Sequence, residues 1–367
     1  MRVSIADPPA YTPPYDHALC AALARAGAEV ELATSPFVYG DVPVAAGYTV
    51  TERFYTHAVG GPASRLRRAT KLLSHAPDML AYRRAVASSA DVVHFQWLTV
   101  PWLDGALLPR RPLVLTAHDL LPREPRPGQA RAERRLFARM DALVVHSDYG
   151  RRRLVDGLGV PAEKVHVIAH GAFAALAAQP SETPLPAGLE AVREPVVLFF
   201  GLLRPYKGLE TLLEAWRGVT GAELWVVGRP RMDIAPLQAA AGPGVRFVPR
   251  FVADAELAAL FRRADVVVLP YTETERLDFS GVLATALAFG RATVVSNVGG
   301  LSEVAAHGGA RLVAPGDAEA LGASLAELVS DRAAREALGA AALAAARGPY
   351  SWDTAARATL ALYERLV

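Results

Sequence analysis

Two cations stand beside a predicted strand-to-helix turn in GLLRPYKGLETLLEAW, residues 201–216. Gly201 permits a tight turn after an apolar strand, and Arg204 and Lys207 precede a helix that we predict to begin near Gly208. Unpaired amides and the helix dipole favour an anion at such a helix start. The pattern predicts an anion site, although two ordinary solvated charges would leave the same pattern.

A second loop of this kind lies in ERLDFSGVLATALAFG, residues 275–290. Ser280 is a good helix N-cap, and Gly281 lets a ligand approach the backbone. SNVGG, residues 296–300, adds a Gly-rich turn after a strand. Neither the dinucleotide-binding nor the P-loop glycine pattern is present. Three anion-favouring loops at one sheet edge predict a diphosphate ligand more than a single phosphate.

Carboxylates crowd the approach to this second helix, at Glu273, Glu275 and Asp278. They would accept hydrogen bonds from ligand hydroxyl groups while the helix start and the two cations bind phosphates. Alternatively, the three acids only decorate the helix approach, where the helix dipole favours them.

The elements that must position these loops are short β-branched runs alternating with helical patterns, which predict an α/β fold of two doubly wound, Rossmann-like domains. Their ligands bind beyond the carboxyl ends of the strands. A Pro- and Ala-rich linker, residues 173–194, separates the two series. The predicted strands cover 2–6, 29–34, 91–95, 112–117, 142–146 and 165–169 in the first half, and 195–200, 223–227, 245–248, 265–270, 292–296 and 310–314 in the second.

Composition narrows the class of protein. A chain of 367 residues suits two domains, and its net charge of +2 gives no general field for nucleic acid, so we expect no nucleic-acid partner. Residues 1–171 carry 21 Lys and Arg against 16 Asp and Glu, which favours an anionic partner for the first half. The single cysteine, Cys20, excludes an internal disulfide framework, and the start MRVSIAD lacks signal-peptide features. These features predict a cytoplasmic protein.

The two loops, the PYTETE motif after the 265–270 strand and the closing YSWDTAARATLALYERLV resemble the family 4 retaining glycosyltransferases of the GT-B fold. TAHD, residues 116–119, and VIAHG, residues 167–171, match first-domain signatures of that family. The resemblance implies two domains facing across a cleft. Residues 195–351 would hold a nucleotide-sugar donor, residues 1–172 would hold the acceptor, and the last helix, 352–367, would cross back to the first domain.

The resemblance also implies a catalytic set of Arg204, Lys207 and His118. The two cations would hold the donor diphosphate and stabilise the leaving nucleotide, and His118 would lie near the donor sugar. The acceptor would then attack the face from which the nucleotide departs, with a phosphate oxygen taking its proton. The donor-binding residues implied are Gly201, Asp278, Ser280, Gly281, Val282, Thr285, Arg250 and Val252.

The chain departs from the family pattern at two glutamates that family members usually carry eight residues apart. Aligning TALAFG with the usual motif places Leu277 at the first position and Thr285 at the second. Asp278, one residue further on, is the candidate for the sugar hydroxyls instead, and Thr285 can still hydrogen-bond a ribose.

The loop after the first strand, DPPAYTPPYDHALC, replaces the family's paired glycines with stiff prolines and aromatic residues. Tyr11, Tyr15, Asp16 and His17 are candidates for an acceptor-binding edge. Alternatively, Asp16 caps a helix over 17–26, and His17 is a residue of the helix start rather than a base.

Metal chemistry has little support in the sequence. No Asp-x-Asp pair occurs, and the nearest substitutes, Asp254-x-Glu256 and Asp317-x-Glu319, lie at predicted helix starts and are interpreted as caps or first-turn acids. No two histidines have the spacing of a zinc pair on a helix, since His94, His146, His166 and His170 lie in or after predicted strands, and most histidines are predicted to be core or loop residues. We therefore predict no metal and no cofactor, with the nucleotide-diphosphate sugar acting as a substrate.

Basic segments at 65–73 and 126–140 bear on the acceptor, which is a glycan, a lipid or a small molecule. A basic amphipathic helix can lie on an anionic membrane surface, which would bring a cytoplasmic enzyme to a lipid-linked acceptor. Alternatively, the segments are solvated faces of helices that pack on the core.

Three hypotheses for the function stay open. The first is an active retaining hexosyltransferase. The second is an inactive paralogue that binds a nucleotide sugar, which the missing glutamates favour. The third is another GT-B enzyme, a sugar-nucleotide epimerase or a phosphorylase. A phosphorylase normally needs a pyridoxal lysine, and none of the three lysines has such a setting.

Overall fold

The computed structural model describes two compact units. One comprises Met1–Gly171 with Trp352–Val367, and the other Ala172–Ser351. Glu273, Glu275 and Leu277 lie outside the described residues, so nothing tests the predictions made for them. The described residues are 1–62, 64–120, 128–180, 184–190, 192, 195–272 and 278–367.

The first unit contains a parallel sheet in the order β3-β2-β1-β4-β5-β6-β7. Six of these strands form where their β-branched runs predict them. Because β1 pairs with β2 on one side and with β4 on the other, the strand order reverses between β1 and β4. Ligands of doubly wound sheets bind at this point. The strands are β1 (Arg2–Asp7), β2 (Glu29–Thr34), β3 (Thr49–Glu52), β4 (Val92–Phe95), β5 (Leu113–Thr116), β6 (Ala142–Val145) and β7 (Val165–Val167).

Strand β3 is absent from the sequence prediction. It is an edge strand of four residues, TVTE, with mostly exposed side chains, so it lacks the apolar run that marks the other strands. It pairs in parallel with β2.

Helices cover the first sheet and bury a core that includes Ile5, Phe95 and Tyr82. The helix after β1 starts at Pro13, four residues before the predicted start, because proline is well tolerated in a first turn. Asp16 therefore lies inside the first turn and does not cap the helix. The helices are α1 (Pro13–Arg25), α2 (Arg65–Ser89), α3 (Pro101–Leu107), α4 (Gln129–Ala138) and α5 (Asp148–Arg152).

The second unit contains a parallel sheet in the order β10-β9-β8-β11-β12-β13, which is again a doubly wound order. All six predicted strands are present. The order reverses between β8 and β11. The strands are β8 (Val196–Phe200), β9 (Glu223–Val227), β10 (Val245–Val248), β11 (Val266–Leu269), β12 (Ala292–Ser296) and β13 (Arg311–Val313).

The helices of the second unit include one inside the predicted linker, since four of its residues form α6. This unit buries a core that includes Val197, Phe199 and Leu212. The helices are α6 (Ala174–Ala177), α7 (Leu209–Trp216), α8 (Ala235–Ala240), α9 (Asp254–Arg263), α10 (Gly281–Ala288), α11 (Leu301–Ala305), α12 (Ala318–Ser330) and α13 (Arg332–Arg347).

The closing helix α14 (Trp352–Glu364) belongs to the first unit, where it packs against α1. Arg25 and Asp353 form an ion pair of 2.7 Å between these helices. The Tyr363 hydroxyl lies 2.6 Å from Nδ1 of His94 in β4. The C-terminal segment is therefore an integral part of the first unit.

Candidate functional site

The loops at the switch point of the second sheet begin with Gly201, directly after β8. Its φ of +117° is easily adopted only by glycine. The chain then forms a short helical turn, Pro205–Lys207, and Gly208, with φ +70°, leads into α7. This confirms the tight turn and the helix predicted near Gly208, and it fixes Lys207 at the mouth of that helix.

Lys207 is buried, and its ammonium group is held by tyrosines. Nζ contacts the hydroxyl of Tyr271, the second residue after β11, and lies 4.0 Å from the centre of that ring. Burial raises the pKa of Tyr271, so its phenol stays neutral and can accept a hydrogen bond from the ammonium. The Tyr271 hydroxyl also lies 3.2 Å from Ser280 Oγ. One tyrosine thus connects the lysine to the start of α10.

Ser280 occupies the N-cap position of α10, but its side chain makes no capping hydrogen bond. The expectation that it caps the helix through its hydroxyl is wrong, because that hydroxyl pairs with Tyr271 instead. The first-turn amides of α10, which have no partner within a helix, therefore receive no hydrogen bond from the Ser280 side chain. An anion is the natural partner for such amides.

The glycines show how closely the loops approach. A Cβ at Gly201 would lie 3.5 Å from Val282 Cγ2 and 3.7 Å from Lys207 Nζ. The loop after β8 therefore meets both Lys207 and the first turn of α10. A Cβ at Gly228, after β9, would lie only 1.9 Å from the Gly201 carbonyl oxygen. Glycine is needed at 228 because the two backbones touch.

Arg204 is half-buried beside this point, and its Nε is buried with no hydrogen-bond partner among the described residues. A buried guanidinium N–H without a partner is costly. An anionic ligand would satisfy it. A phosphate oxygen, for example, could accept a hydrogen bond from this N–H group.

Asp278 and Thr285, the two substitutes for the family's glutamates, are both buried. The Thr285 hydroxyl donates to the Gly281 carbonyl at 2.8 Å, one turn back in α10. The Asp278 backbone carbonyl accepts a hydrogen bond of 3.0 Å from the amide of Gly300, in the Gly-rich turn after β12. Asp278 is therefore joined to this turn through its backbone, and the sugar and ribose contacts predicted for Asp278 and Thr285 stay predictions.

Arg250 forms a bidentate ion pair with Glu256, at 2.9 and 2.5 Å, which raises the arginine's pKa and lowers that of the glutamate. Val252 is buried. Asp254 and Glu256 are first-turn acids of α9, and Asp317 caps α12 through the amide of Ala320. These acids are helix-start residues, as predicted. The contact of Arg250 and Val252 with a nucleotide base stays untested.

In the first unit, His118 lies at the carboxyl edge of the sheet and is half-buried. Its Nε2 is 3.0 Å from Oε1 of Gln96, the residue that follows β4. The imidazole stacks on Trp97, with ring centres 5.0 Å apart, and meets the edge of Tyr15 at 4.7 Å. His118, which follows β5, is therefore held in a fixed orientation by residues that follow β1 and β4, beside the switch point of this sheet.

The four predicted acceptor residues divide by burial. Tyr11 is 61% exposed, whereas Tyr15, Asp16 and His17 are buried. Burial and the neighbouring charge of Asp7 raise the pKa of Asp16 well above its ordinary value. Burial lowers the pKa of His17, whose Nδ1 lies 2.6 Å from the Tyr48 hydroxyl. Of the four, only Tyr11 stands at an exposed edge.

Sequence reasoning gave no role to Tyr271, Gly228, Trp97 or Gln96. Each directly or almost directly follows a strand at the carboxyl edge of its sheet, so strand ends were the available signal. Of the described residues, no group of three or more His, Cys, Asp or Glu is arranged to hold a metal ion. None of the described helices is both long enough and apolar enough to span a membrane.

Two Rossmann-like units, the second with Arg204 and Lys207 in the loop that follows the strand at its switch point, define an α/β protein of two doubly wound domains. Residues 15–172 match the family model described as Glycosyltransferase Family 4, and residues 194–331 match Glycosyl transferases group 1. The chain is 30% identical to a D-inositol 3-phosphate glycosyltransferase of Kineococcus radiotolerans, over 95% of this chain and 89% of that protein. It is 32% identical to the protein of that name from Xylanimonas cellulosilytica, over 94% and 89%.

Solved structures share the fold. Anabaena HepE in complex with UDP and glucose matches with a TM-score of 0.74 and 20% identity, over 100% of both chains. Sucrose-phosphate synthase from Thermosynechococcus elongatus matches with a TM-score of 0.73 and 22% identity, over 100% of this chain and 99% of that one. The chain belongs to the family 4 glycosyltransferases of the GT-B fold.

Proposed function

We propose that this glycosyltransferase moves a sugar, with retention of anomeric configuration, from a nucleotide-diphosphate donor to an acceptor hydroxyl. The observation that carries the proposal is the meeting of Lys207 with the start of α10 through Tyr271 and across Gly201. A buried ammonium beside the first-turn amides of a helix suits a pyrophosphate. The second unit would hold the donor.

The chemistry follows from where charge develops. As the bond between the anomeric carbon and the diphosphate oxygen breaks, negative charge builds on the leaving phosphate. Lys207, Arg204 and the amides of Gly281 and Val282 would stabilise that charge, which is usually the largest catalytic term. The acceptor oxygen bonds to the anomeric carbon on the same face, and its proton passes to the phosphate oxygen.

This chain supplies two side-chain cations for the diphosphate, so we propose transfer without a metal ion. The buried tyrosine contact restricts Lys207 to few positions, so little of its freedom is lost when a phosphate binds. Arg204 would bring its unpaired Nε to a phosphate oxygen. We propose a hexose as the transferred sugar and a cytoplasmic site of action.

The acceptor would bind to the first unit, where His118 is oriented by Gln96 and Trp97 and where Tyr11 is exposed. The relatives named as D-inositol 3-phosphate glycosyltransferases make a polyol phosphate the first acceptor to test. Glycan and lipid hydroxyls are the further candidates.

A second candidate, nucleotide-sugar binding without turnover, is favoured by one observation. The residues that stand for the family's glutamates are buried, and the Thr285 hydroxyl already serves a helix carbonyl. Under this alternative, ligand binding would be measurable while sugar transfer and hydrolysis would not.

The test combines thermal-shift and turnover screening against UDP-, GDP- and ADP-sugars, with and without acceptors. We expect one nucleotide series to raise the melting temperature and to support transfer. Arg204→Ala and Lys207→Ala should each lower turnover by about 100-fold or more. Arg217→Ala, an exposed cation at the end of α7, is the matched control.

The outcomes separate the candidates. Wild-type rates in both site variants would contradict the assignment of the two cations. Conversion of the nucleotide sugar without any acceptor would indicate an epimerase. Binding without turnover against every acceptor would support the inactive alternative.

A further inference from the structure

The long helix α2 carries a row of exposed leucines. Leu66, Leu73 and Leu80 are spaced by seven residues, so they lie along one face of the helix. They are 57%, 78% and 36% exposed, and Leu72, beside this row, is 60% exposed. Single exposed leucines are ordinary, whereas a continuous row along one helix indicates a contact surface. We call Leu66, Leu72, Leu73 and Leu80 the leucine face.

This face is not the side by which α2 packs on its own unit. The core side of the helix consists of other residues, including Met79, Tyr82 and Val86, which are buried. The prediction that residues 65–73 form a solvated basic face of a core-packing helix agrees with the exposed Arg65 and Arg68, but the leucines of this segment are exposed as well and do not pack on the core. Helix α4 behaves as that interpretation expects, since its Leu136 and Phe137 are buried.

Arginines accompany the leucine face. Arg65 and Arg68 in the first turns and Arg84 near the end are exposed. Asp78 is the only acid in residues 65–89, and its carboxylate accepts the Tyr55 amide at 2.8 Å. The exposed surface of α2 therefore carries both apolar and cationic side chains, and the one carboxylate of the helix, Asp78, is hydrogen-bonded to the Tyr55 amide.

Three other cations of α2 are buried or half-buried and do not belong to this surface, and one of them, Arg83, donates to the Ala106 carbonyl at 3.5 Å. Arg67 is buried and donates to the Ala58 carbonyl at 3.0 Å. The Lys71 ammonium lies 4.9 Å from the centre of the Tyr55 ring. Burial and the charge of Arg67 lower the pKa of Lys71, and the charge of Asp7 opposes them only in part. The outward charge therefore rests on the three exposed arginines.

We propose that α2 docks the protein on an anionic lipid bilayer, with the leucine face inserted among the acyl chains and the arginines on the lipid phosphates. Leucines flanked by arginines are what a helix lying in the membrane interface requires. Each arginine near an anionic surface strengthens binding by about fivefold. A second copy of the chain is a poorer partner, because a two-fold contact of this face would set like arginines against each other.

The test is co-sedimentation of the full chain with vesicles of phosphatidylcholine alone or with phosphatidylglycerol as roughly a third of the lipid. We expect binding to the anionic vesicles that weakens at high salt, because the arginine contribution is screened. Leu66→Ser with Leu73→Ser should weaken binding by about tenfold or more, since two leucines no longer insert. Arg65→Gln with Arg68→Gln should weaken it about 30-fold at low salt.

Two control variants distinguish binding by the leucine face from nonspecific binding to vesicles. Val44→Ser removes an apolar side chain that is 91% exposed elsewhere in the first unit, and Arg217→Gln removes an exposed cation from the second unit. Both should bind like the wild type. Circular dichroism melting shows whether each variant is folded. Vesicle binding is independent of sugar transfer, so the proposed function can fail without this inference failing.

Three results would overturn the proposal. The first is no binding of the wild type to anionic vesicles, and the second is equal binding by folded leucine-face variants. The third is a concentration-dependent dimer that Leu73→Ser abolishes while vesicle binding is absent, which would assign the face to a second copy.

Discussion

The Lys207 ammonium lies 4.0 Å from the centre of the Tyr271 ring and contacts the hydroxyl of the same residue. The two residues come from different loops, after β8 and after β11, and they are 64 positions apart in the chain. The lysine is therefore fixed by a neighbour that also reaches Ser280 at the start of α10. The account of the donor site depends on this bridge.

Removing the bridging hydroxyl should weaken the site without unfolding the protein. Tyr271→Phe keeps the ring under the ammonium but deletes the contacts with Lys207 and Ser280. We expect nucleoside-diphosphate affinity to fall by about tenfold, since a hydrogen bond to a charged group contributes about 1.5–3 kcal/mol and the ring contact remains. Isothermal titration calorimetry measures the change. Unchanged affinity would show that the Tyr271 hydroxyl does not contribute to nucleotide binding.

Gly208 should tolerate no side chain. A Cβ at Gly208 would lie 1.7 Å from the Pro270 carbonyl oxygen, and φ is +70°. Gly221 has φ +71° with nothing within 4 Å of the same atom, so it is the matched control. We expect Gly221→Ala to cost about 1 kcal/mol of unfolding free energy from backbone strain alone. Gly208→Ala should cost about 1–3 kcal/mol more. Urea titration measures both, and equal losses would contradict the steric argument.

A buried network should hold α2 to α3. The Tyr55 hydroxyl lies 2.7 Å from His75 Nδ1, and His75 Nε2 lies 2.6 Å from Asp104 Oδ1. Tyr55→Phe leaves a buried ring nitrogen without its partner, so we expect a loss of about 1–3 kcal/mol. Tyr39→Phe deletes an exposed hydroxyl that donates to Pro62, and it should change stability by less than about 0.5 kcal/mol. Equal losses of unfolding free energy in the two variants, measured by urea titration, would contradict the stabilising role of this network.

Acid should destabilise the first unit through buried histidines. Burial lowers the pKa of His94 to about 3, of His146 to about 4 and of His170 to about 3. Below their ordinary value of about 6.5, the unfolded chain takes up these protons and the folded chain does not, so stability falls with pH by about 1.4 kcal/mol per unit for each histidine. Asp16 works in the opposite sense, because its raised pKa favours the folded state as pH falls.

The three histidines together should give a slope of about 4 kcal/mol per pH unit between about pH 6 and pH 4.5, and the raised pKa values of Asp16 and Asp7 oppose it. Urea unfolding across that range measures it. His94→Gln should reduce the slope by about one proton, whatever its effect on stability at neutral pH. A wild-type stability that is flat across the range would contradict the buried, neutral histidines.

The sequence predicts most of this fold because the central strands of both sheets, such as β4 and β11, are buried on both faces. Twelve of the described strands coincide with β-branched apolar runs, such as Val196–Phe200 and Val266–Leu269. The sequence does not predict β3, because this exposed edge strand has no apolar pattern. The predicted start of α1 is wrong because Pro13 lies in the first turn, where proline is tolerated, although proline breaks helices at interior positions.

The site is predictable only in part, for a physical reason. Residue type and position after a strand single out Gly201, Arg204 and Lys207. Which hydroxyl Ser280 meets depends on Tyr271, whose place is set by the pairing of β8 with β11 rather than by local sequence. Burial of Asp278 and Thr285 likewise arises from packing around α10.

The central claim is that Lys207 and the first turn of α10 bind one pyrophosphate. The most direct measurement is a crystal structure with the nucleoside diphosphate that gives the largest thermal shift. The account predicts β-phosphate oxygens within about 3 Å of both Lys207 Nζ and the Val282 amide. A diphosphate bound away from either group, with the contact between Lys207 and Tyr271 undisturbed, would contradict it.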